Sequence, residues 1–382
     1  MNVLVQEKGE LCLQYEGKES EQSIIENTKA ASLIERFRHP QPSIATWRNM
    51  LIQGDNLYVL KALYNMPEVR EKIRLVYIDP PFATGKEFNG NQNNKTAYKD
   101  TLKGAEYIEF LRKRLILLKE VMAKDGSIYV HIDWKMSHYV RVLMDEVFKP
   151  EHFISDITRI KCNPKNFKRP AYGNIKDTIL FYSKEDKHLW RGSSEPLNKE
   201  DIERLFPKID EDGRRYTTTP LHAPDETKNG STGQPWKGLK PPKGRHWRYP
   251  PERLTVLDNL GLIERSKTGN PRMKIYAEDA KKRGKKRQDI WDFKDPPYPR
   301  YPTEKNLDML KTIIKASSKK DDIVLDAFLG SATTIIAAEE LGRRWIGIDN
   351  SEVAINTSLE RLNEYRTRKT FEYPYILYAA DI

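Results

Sequence analysis

The residues with the clearest chemical capacity are Asp79-Pro80-Pro81-Phe82, which follow directly on the apolar run Ile73–Ile78. A proline has a fixed φ and no N–H to donate to a ladder, so a strand ends here and the loop after it is stiff. Asp79 supplies one hydrogen-bond acceptor and the Pro80 carbonyl a second. An exocyclic base amine is a poor nucleophile because its lone pair is delocalised into the ring. Two acceptors aimed at its two hydrogens would draw the nitrogen towards tetrahedral geometry. Phe82 offers a face for a base flipped out of a duplex. The same four residues could also be a plain strand-ending turn.

A second constellation lies near the C-terminus. A strand ends in Asp326-Ala327-Phe328-Leu329-Gly330, a helix opens after Ser331, and the next strand ends in Asp349, 23 positions beyond Asp326. This is the layout of a nucleoside pocket at the carboxyl ends of parallel strands, with the second acid accepting from two ribose hydroxyls. The turn Gly330-Ser331-Ala332-Thr333 lacks the three glycines that let a backbone approach a pyrophosphate. A cofactor with a ribose and no pyrophosphate therefore fits better than a dinucleotide, and S-adenosylmethionine has that chemistry. An ordinary strand–helix–strand crossover is the plainer alternative.

The elements that must position these residues read as α/β. Short apolar runs without alternation, Ile73–Ile78, Ser127–Ile132, Asp322–Leu325 and Arg344–Ile348, have the character of parallel strands buried on both faces. Helices are expected at Leu57–Asn65, Ile108–Met122, Lys135–Val147, Asn306–Ala316, Thr333–Leu341 and Glu352–Tyr365, with one more around Ser32–Arg38. Thr84–Lys95, rich in Gly and Asn, reads as a loop. The expected organisation is an N-terminal extension over 1–45, a catalytic half over 46–153, an inserted region over 154–300 and a cofactor half over 301–382.

The inserted region holds the charge. Between Lys161 and Arg300 there are 32 Lys+Arg against 20 Asp+Glu, enough to account for the whole net charge of +11. A basic surface of this kind suits a polyanion, although it also serves solubility. Its densest run is Lys281, Lys282, Arg283, Lys285, Lys286 and Arg287 around Gly284. Two distant cysteines, Cys12 and Cys162, suit a reducing cytoplasm and neither a disulfide scaffold nor a metal site. No apolar stretch is long enough for a membrane span, and no signal peptide is visible.

Taken in order, Gly54-Asp55-Asn56-Leu57, Leu75–Gly85, Asp125–Ile128, Tyr301–Asn306 and Asp326–Thr334 resemble the amino-methyltransferases of DNA. The Asp-Pro-Pro motif precedes the basic region and the cofactor loop comes last, an order similar to the β group of that family. Trp247–Leu257 and Gln288–Phe293 look like modification subunits of type III restriction–modification systems. The resemblance implies a Rossmann-like, mostly parallel sheet of the S-adenosylmethionine-dependent type, with an inserted target-recognition domain. It implies methyl transfer to N6 of adenine in double-stranded DNA, because aspartate at the head of the motif usually accompanies adenine; N4 of cytosine is the alternative. Asp79, Pro80, Pro81 and Phe82 would form the catalytic loop. Asp326, Phe328 and Gly330 would line the methionine end of the cofactor, Asp349 its ribose and Asp55 its adenine end, with Ser331 also at the cofactor and Thr303 and Lys305 closing over the methionine. A restriction subunit and a second copy of the chain are the protein partners it admits, and a prokaryotic or phage cytoplasm is the setting. Three positions depart from the family pattern: Ala332 for a second glycine, Phe82 for tyrosine and Asn306 for proline. Rival readings are an oxidoreductase, an inactive DNA-binding relative and an RNA or protein acceptor.

A second Asp-Pro-Pro-aromatic, Asp295-Pro296-Pro297-Tyr298, matches the family letters more closely. Its leader Gln288–Lys294 is polar and mixed. It reads as an extended connector, with nothing to hold it at the edge of a sheet.

Overall fold

Runs of Ile, Val and Leu without alternation become the interior of one large sheet. The computed structural model describes residues 12–39, 46–82, 86–89, 96–100, 102, 104–164, 170–227, 229–302, 304–369, 371 and 373–382. Within these, ten strands build that sheet: β1 Ser32–Arg38, β2 Asn49–Gln53, β3 Ile73–Ile78, β4 Met122–Ile132, β5 Phe153–Ile160, β6 Lys176–Ser183, β7 Ile290–Asp292, β8 Ile323–Asp326, β9 Arg344–Asp349 and β10 Tyr375–Asp381. Their spatial order is β1-β10-β2-β9-β8-β3-β4-β6-β5-β7. The central block from β10 to β4 is parallel throughout, while β1, β6 and β5 bring antiparallel pairs towards the edges.

Successive strand residues point to opposite faces, so each strand feeds two cores. On one face Ile52, Ile73, Val76 and Ile78 pack with the helices α1 Glu21–Asn27, α2 Asn56–Tyr64, α3 Gly104–Val121 and α4 Ser137–Phe148. On the other, Leu51, Leu75 and Tyr77 pack with α5 Leu307–Ser317, α6 Thr333–Glu340 and α7 Glu352–Arg368. This is an α/β fold with a doubly covered sheet. From β8 the chain crosses through α6 to β9 on one side. From β3 it passes through α3 to β4 on the other. The carboxyl ends of β8 and β3 therefore flank a topological switch point, where such sheets open a crevice.

The chain divides into two compact units, 1–192 with 288–382, and 193–287. The second unit carries 22 Lys+Arg against 14 Asp+Glu. It has an antiparallel sheet in the order Lys208–Ile209, Arg215–Pro220, Pro271–Tyr276 and Ile263–Arg265. Its own small core is made of Leu221, Trp236, Trp247 and Leu254. The indoles of Trp236 and Trp247 donate to the Thr255 hydroxyl and the Gln234 carbonyl, both at 3.0 Å.

Four expectations change. The helix expected over Ser32–Arg38 is the edge strand β1, because antiparallel pairing with β10 outweighs a weak local pattern in a mostly exposed segment. Part of the expected Gly/Asn loop is a hairpin, Lys86–Asn89 against Thr96–Asp100. The compact inserted unit is narrower than 154–300: β5 and β6 belong to the large sheet, and residues 288–300 fall in the same unit as that sheet. The leader of the second Asp-Pro-Pro contains a strand after all. β7 pairs in parallel with β5, and of its three residues only Trp291 is buried. An edge strand with one anchoring side chain leaves almost no apolar pattern to read. No described helix is long and apolar enough to cross a membrane.

Candidate active site

The carboxyl ends of β3 and β8 open into a cavity of about 620 Å³, lined by Asp79–Phe82, Asp326–Ser331, Lys305, Asp55 and Asp349 among others. That volume is in the range of small-molecule and cofactor sites. Asp79 follows the last residue of β3 and is half-buried; Pro80 is buried. One carboxylate oxygen of Asp79 lies 2.5 Å from the Lys305 ammonium. The other, Oδ1, is buried and has no hydrogen-bond partner among the described residues. A buried acceptor is costly to leave unpaired, so this oxygen can take a donor brought by a bound molecule. The Lys305 ammonium also lies 5.5 Å from the centroid of the Phe82 ring.

The opposite wall is acidic. Asp326 is 2% exposed; its carboxylate accepts from the Phe328 N–H at 2.9 Å and the Thr334 hydroxyl at 2.5 Å. Burial pushes this carboxyl up to about 7, with Asp79 and Asp349 adding to the shift and the two hydrogen bonds opposing it. Asp349 accepts from the Gly330 N–H at 2.8 Å and the Ser351 N–H at 2.9 Å. Burial raises its pKa too, opposed by those backbone donors. Each of its oxygens has two acceptor positions, so both remain able to take a hydroxyl. Gly330 sits at φ +52. Ala332 also adopts a left-handed conformation, φ 65, the region where glycine is at ease and a Cβ is not. The glycine usual at that position in the resembled family would relieve this strain.

At the other end of the cavity, Asp55 caps α2 by accepting from the Leu57 N–H at 2.8 Å and pairs with Arg114 at 2.8 Å. Asn56 accepts from Arg114 and donates to the Ala327 carbonyl at 2.6 Å, which ties the turn after β8 to the start of α2. Burial lowers Arg114 to about 10, against the opposing pull of Asp55. Its guanidinium lies 3.6 Å from the centroid of the Phe110 ring, itself 6.2 Å from Phe328.

The structure thus gathers Asp55, Asp79–Phe82, Lys305, Asp326, Phe328, Gly330, Ser331 and Asp349 around one cavity. Thr303 lies outside the described residues. Lys305, expected over a methionine moiety, lines the cavity and pairs with Asp79. Asn306, where a proline is commoner, caps α5 by accepting from the Asp308 and Met309 N–H groups at 2.9 and 3.1 Å. The basic run divides. Lys281, Lys282, Arg283 and Lys286 are exposed, whereas Lys285 pairs with Asp201 at 2.7 Å and Arg287 with Glu195 at 2.9 Å.

Sequence reading missed two arginines. Arg114 left a signal, a cation on the apolar face of α3. Arg361 left none: from α7 it donates to the Ser331 carbonyl at 2.6 Å and pairs with the buried Glu304 at 2.8 Å. It thereby joins the loop after β8 to the segment carrying Lys305.

The Asp295 carboxylate accepts from the fully buried Arg159, and its N–H donates to the Lys161 carbonyl at 2.8 Å. It does not line the cavity. Tyr298 of the same tetrapeptide is 91% exposed.

Against known proteins, residues 73–360 match the model of a DNA methylase family of the N6/N4 type. The type II methyltransferase M.EcaI of Enterobacter cloacae is 43% identical over 358 residues, covering 91% of this chain and 77% of that one. The StyLTI Mod subunit, a type III restriction–modification enzyme of Salmonella typhimurium, is 26% identical; the match covers 77% of this chain and half the length of the subunit. The DNA adenine methyltransferase YhdJ of Escherichia coli is 26% identical over 84% of this chain and 88% of its own length.

Proposed function

The chain belongs to the N6/N4 DNA methylase family, and from that premise we propose that it methylates N6 of adenine in double-stranded DNA at a site chosen by its basic unit. The methyl donor is S-adenosylmethionine, which supplies an electrophilic methyl group on a sulfonium. The donor set suits it: a half-buried Asp349 with spare acceptor positions for ribose hydroxyls, a buried Asp326 for a cationic methionine end, and apolar surface from Phe110 and Phe328 beside Asp55. Among the described residues lining the cavity, the basic side chains are Arg114 and Lys305, each paired with an aspartate, and the turn at Gly330 lacks three glycines, which weighs against a dinucleotide.

The observation that carries the reading is the buried Oδ1 of Asp79, without a hydrogen-bond partner among the described residues, on a side chain that lines this cavity. Asp79 accepts one hydrogen of the base amine there, and the Pro80 carbonyl accepts the other. As the nitrogen forms its bond to carbon it gains positive charge, and Asp79 takes the proton it must lose. Lys305 holds the second oxygen of Asp79 and so fixes how the carboxylate is turned. Phe82 stacks on the base, which must leave the duplex to reach this depth. Phosphate contacts from the basic unit would place the DNA, while its polar side chains read base edges. The likeness to restriction–modification enzymes supports a companion endonuclease as a partner.

Incubation with labelled S-adenosylmethionine and DNA of varied sequence, followed by nucleoside analysis, tests this. N6-methyladenine is expected. N4-methylcytosine alone would refute the base assignment, and label in neither nucleoside would refute the activity.

A further inference from the structure

Behind Asp79, the sheet carries a row of buried polar side chains that the reading above leaves without a role. Tyr77 on β3, His131 on β4 and Asp177 on β6 are 2%, 0% and 2% exposed. They lie on three adjacent strands, and Tyr77 forms part of the cavity wall two residues before Asp79. The Tyr77 hydroxyl is 2.8 Å from His131 Nδ1, and His131 Nε2 is 3.3 Å from Asp177 Oδ2. Asp177 also meets Lys161 at 2.7 Å and Arg159 at 3.7 Å.

The polarity of this row follows from its charged end. Burial opposes ionisation of Asp177, but the hydrogen bond from His131 and the hydrogen bond and charge of Lys161 hold its carboxyl well below the usual range. A carboxylate can only accept, so the proton of the imidazole sits on Nε2. Burial lowers the pKa of His131, so the ring is neutral and its Nδ1 accepts. The Tyr77 O–H must then donate to His131, which leaves the phenol oxygen with its lone pairs directed away from the ring nitrogen. Held this way, the hydroxyl offers only acceptor positions to the cavity wall behind Asp79, an acceptor that phenylalanine lacks; a tyrosine without this partner could turn its hydrogen into the cavity and compete for Asp79.

We propose that His131 is a positioning residue of the methyl-transfer site, locked in one tautomer by Asp177 so that it fixes the Tyr77 hydroxyl in the wall behind Asp79. The row continues through Arg159 to Asp295, so the second Asp-Pro-Pro segment is tied to the same strands. The inference rests on the proposed methyl transfer, and its test separates the two.

An asparagine at 131 places an amide near the position of Nδ1 and can accept from Tyr77. A glutamine reaches towards Nε2 and Asp177 and leaves Tyr77 unpartnered. The measurements are single-turnover rate with saturating DNA and cofactor, cofactor affinity by calorimetry, and thermal melting. Tyr77→Phe is expected to slow methyl transfer by about tenfold to a hundredfold, the scale of one buried hydrogen bond, with cofactor affinity within about twofold of wild type. His131→Asn is expected to retain more rate than His131→Gln. A purely structural role, satisfying the buried Asp177, demands the opposite order, with rates that follow the melting temperatures. A Tyr77→Phe enzyme with wild-type rate, or His131→Gln as fast as His131→Asn, overturns the proposal. If both His131 variants fail to fold, the Tyr77→Phe rate decides alone. Wild-type protein that binds cofactor and methylates no DNA overturns the functional reading and this inference with it.

Discussion

The two Asp-Pro-Pro-aromatic segments share their letters and almost nothing else. Asp79 stands at the end of a buried central strand in the wall of a cavity, with one oxygen held by Lys305 and the other without a partner among the described residues. Asp295 follows an edge strand, and its carboxylate is engaged by a fully buried arginine. One aspartate is held so that an acceptor stays available; the other completes an internal ion pair. A motif's chemistry is set by which of its atoms the fold leaves unsatisfied. Spelling alone favours the copy that does not line the cavity, since only the second ends in tyrosine.

The sharpest way to break this comparison is to remove each aspartate. Asp79→Ala is expected to cut the methyl-transfer rate by at least about a hundredfold to a thousandfold, the cost of losing one preorganised group at the reacting atom, while calorimetric affinity for S-adenosylmethionine stays near wild type. Retained rate would move the chemistry elsewhere. Asp349→Ala should do the reverse, weakening cofactor binding by roughly 5- to 150-fold, as lost hydrogen bonds to a charged group imply. Unchanged affinity in a folded variant would remove Asp349 from the ribose. Asp295→Ala leaves the buried Arg159 short of a partner. It should lower stability by about 1–3 kcal/mol, seen as a fall of a few degrees in melting temperature, and keep the rate within about tenfold of wild type. An inactive Asp295→Ala with normal DNA and cofactor affinity, beside an active Asp79→Ala, would invert the assignment.

A pH series sharpens the acidic wall. Asp326 keeps a proton in the folded state up to about 7, which the unfolded chain releases near the ordinary aspartate value. Its contribution to stability therefore falls as pH rises from about 4 to about 7, then levels off. Asp326→Asn should flatten that slope in denaturant titrations; an unchanged slope would mean the carboxyl is ionised in the folded protein. The smallest effect extends the comparison to the basic run. Replacing exposed Lys281, Lys282 and Arg283 by alanine should lower the salt dependence of DNA binding by up to about 2.7 in log–log slope, at 0.9 per phosphate contact. Alanine at Lys285 and Arg287, which pair with Asp201 and Glu195, should instead lower the melting temperature. Equal slopes for both sets would erase the distinction.

Much of the site was legible because its residues end strands. Ile73–Ile78 and Ile323–Asp326 announce themselves by unbroken apolar runs, and the acids that follow must lie at the carboxyl edge. The helices α2 to α7 were legible from apolar period and caps. What stayed hidden depends on partners far away in sequence. β1 is a strand because β10 pairs with it, and β7 because β5 does. The Lys305–Asp79 contact and the Arg361 bridge join residues whose separation encodes nothing locally. The split within the basic run depends on acids at 195 and 201.

The adjacency of β3 and β8 has a consequence for how the molecule comes into being. Val76 pairs with Leu325, so the edge of β3 beside the Asp79 loop waits for a strand synthesised long after it, beyond a second compact unit. Non-local parallel pairing of this kind is slow to form and leaves apolar strand edges exposed meanwhile. The cavity cannot exist on a nascent chain that stops before residue 326. A ribosome-bound fragment would carry the whole Asp79 motif and still modify nothing, so the time between starting a chain and gaining a working site is set by topology as well as by the speed of translation.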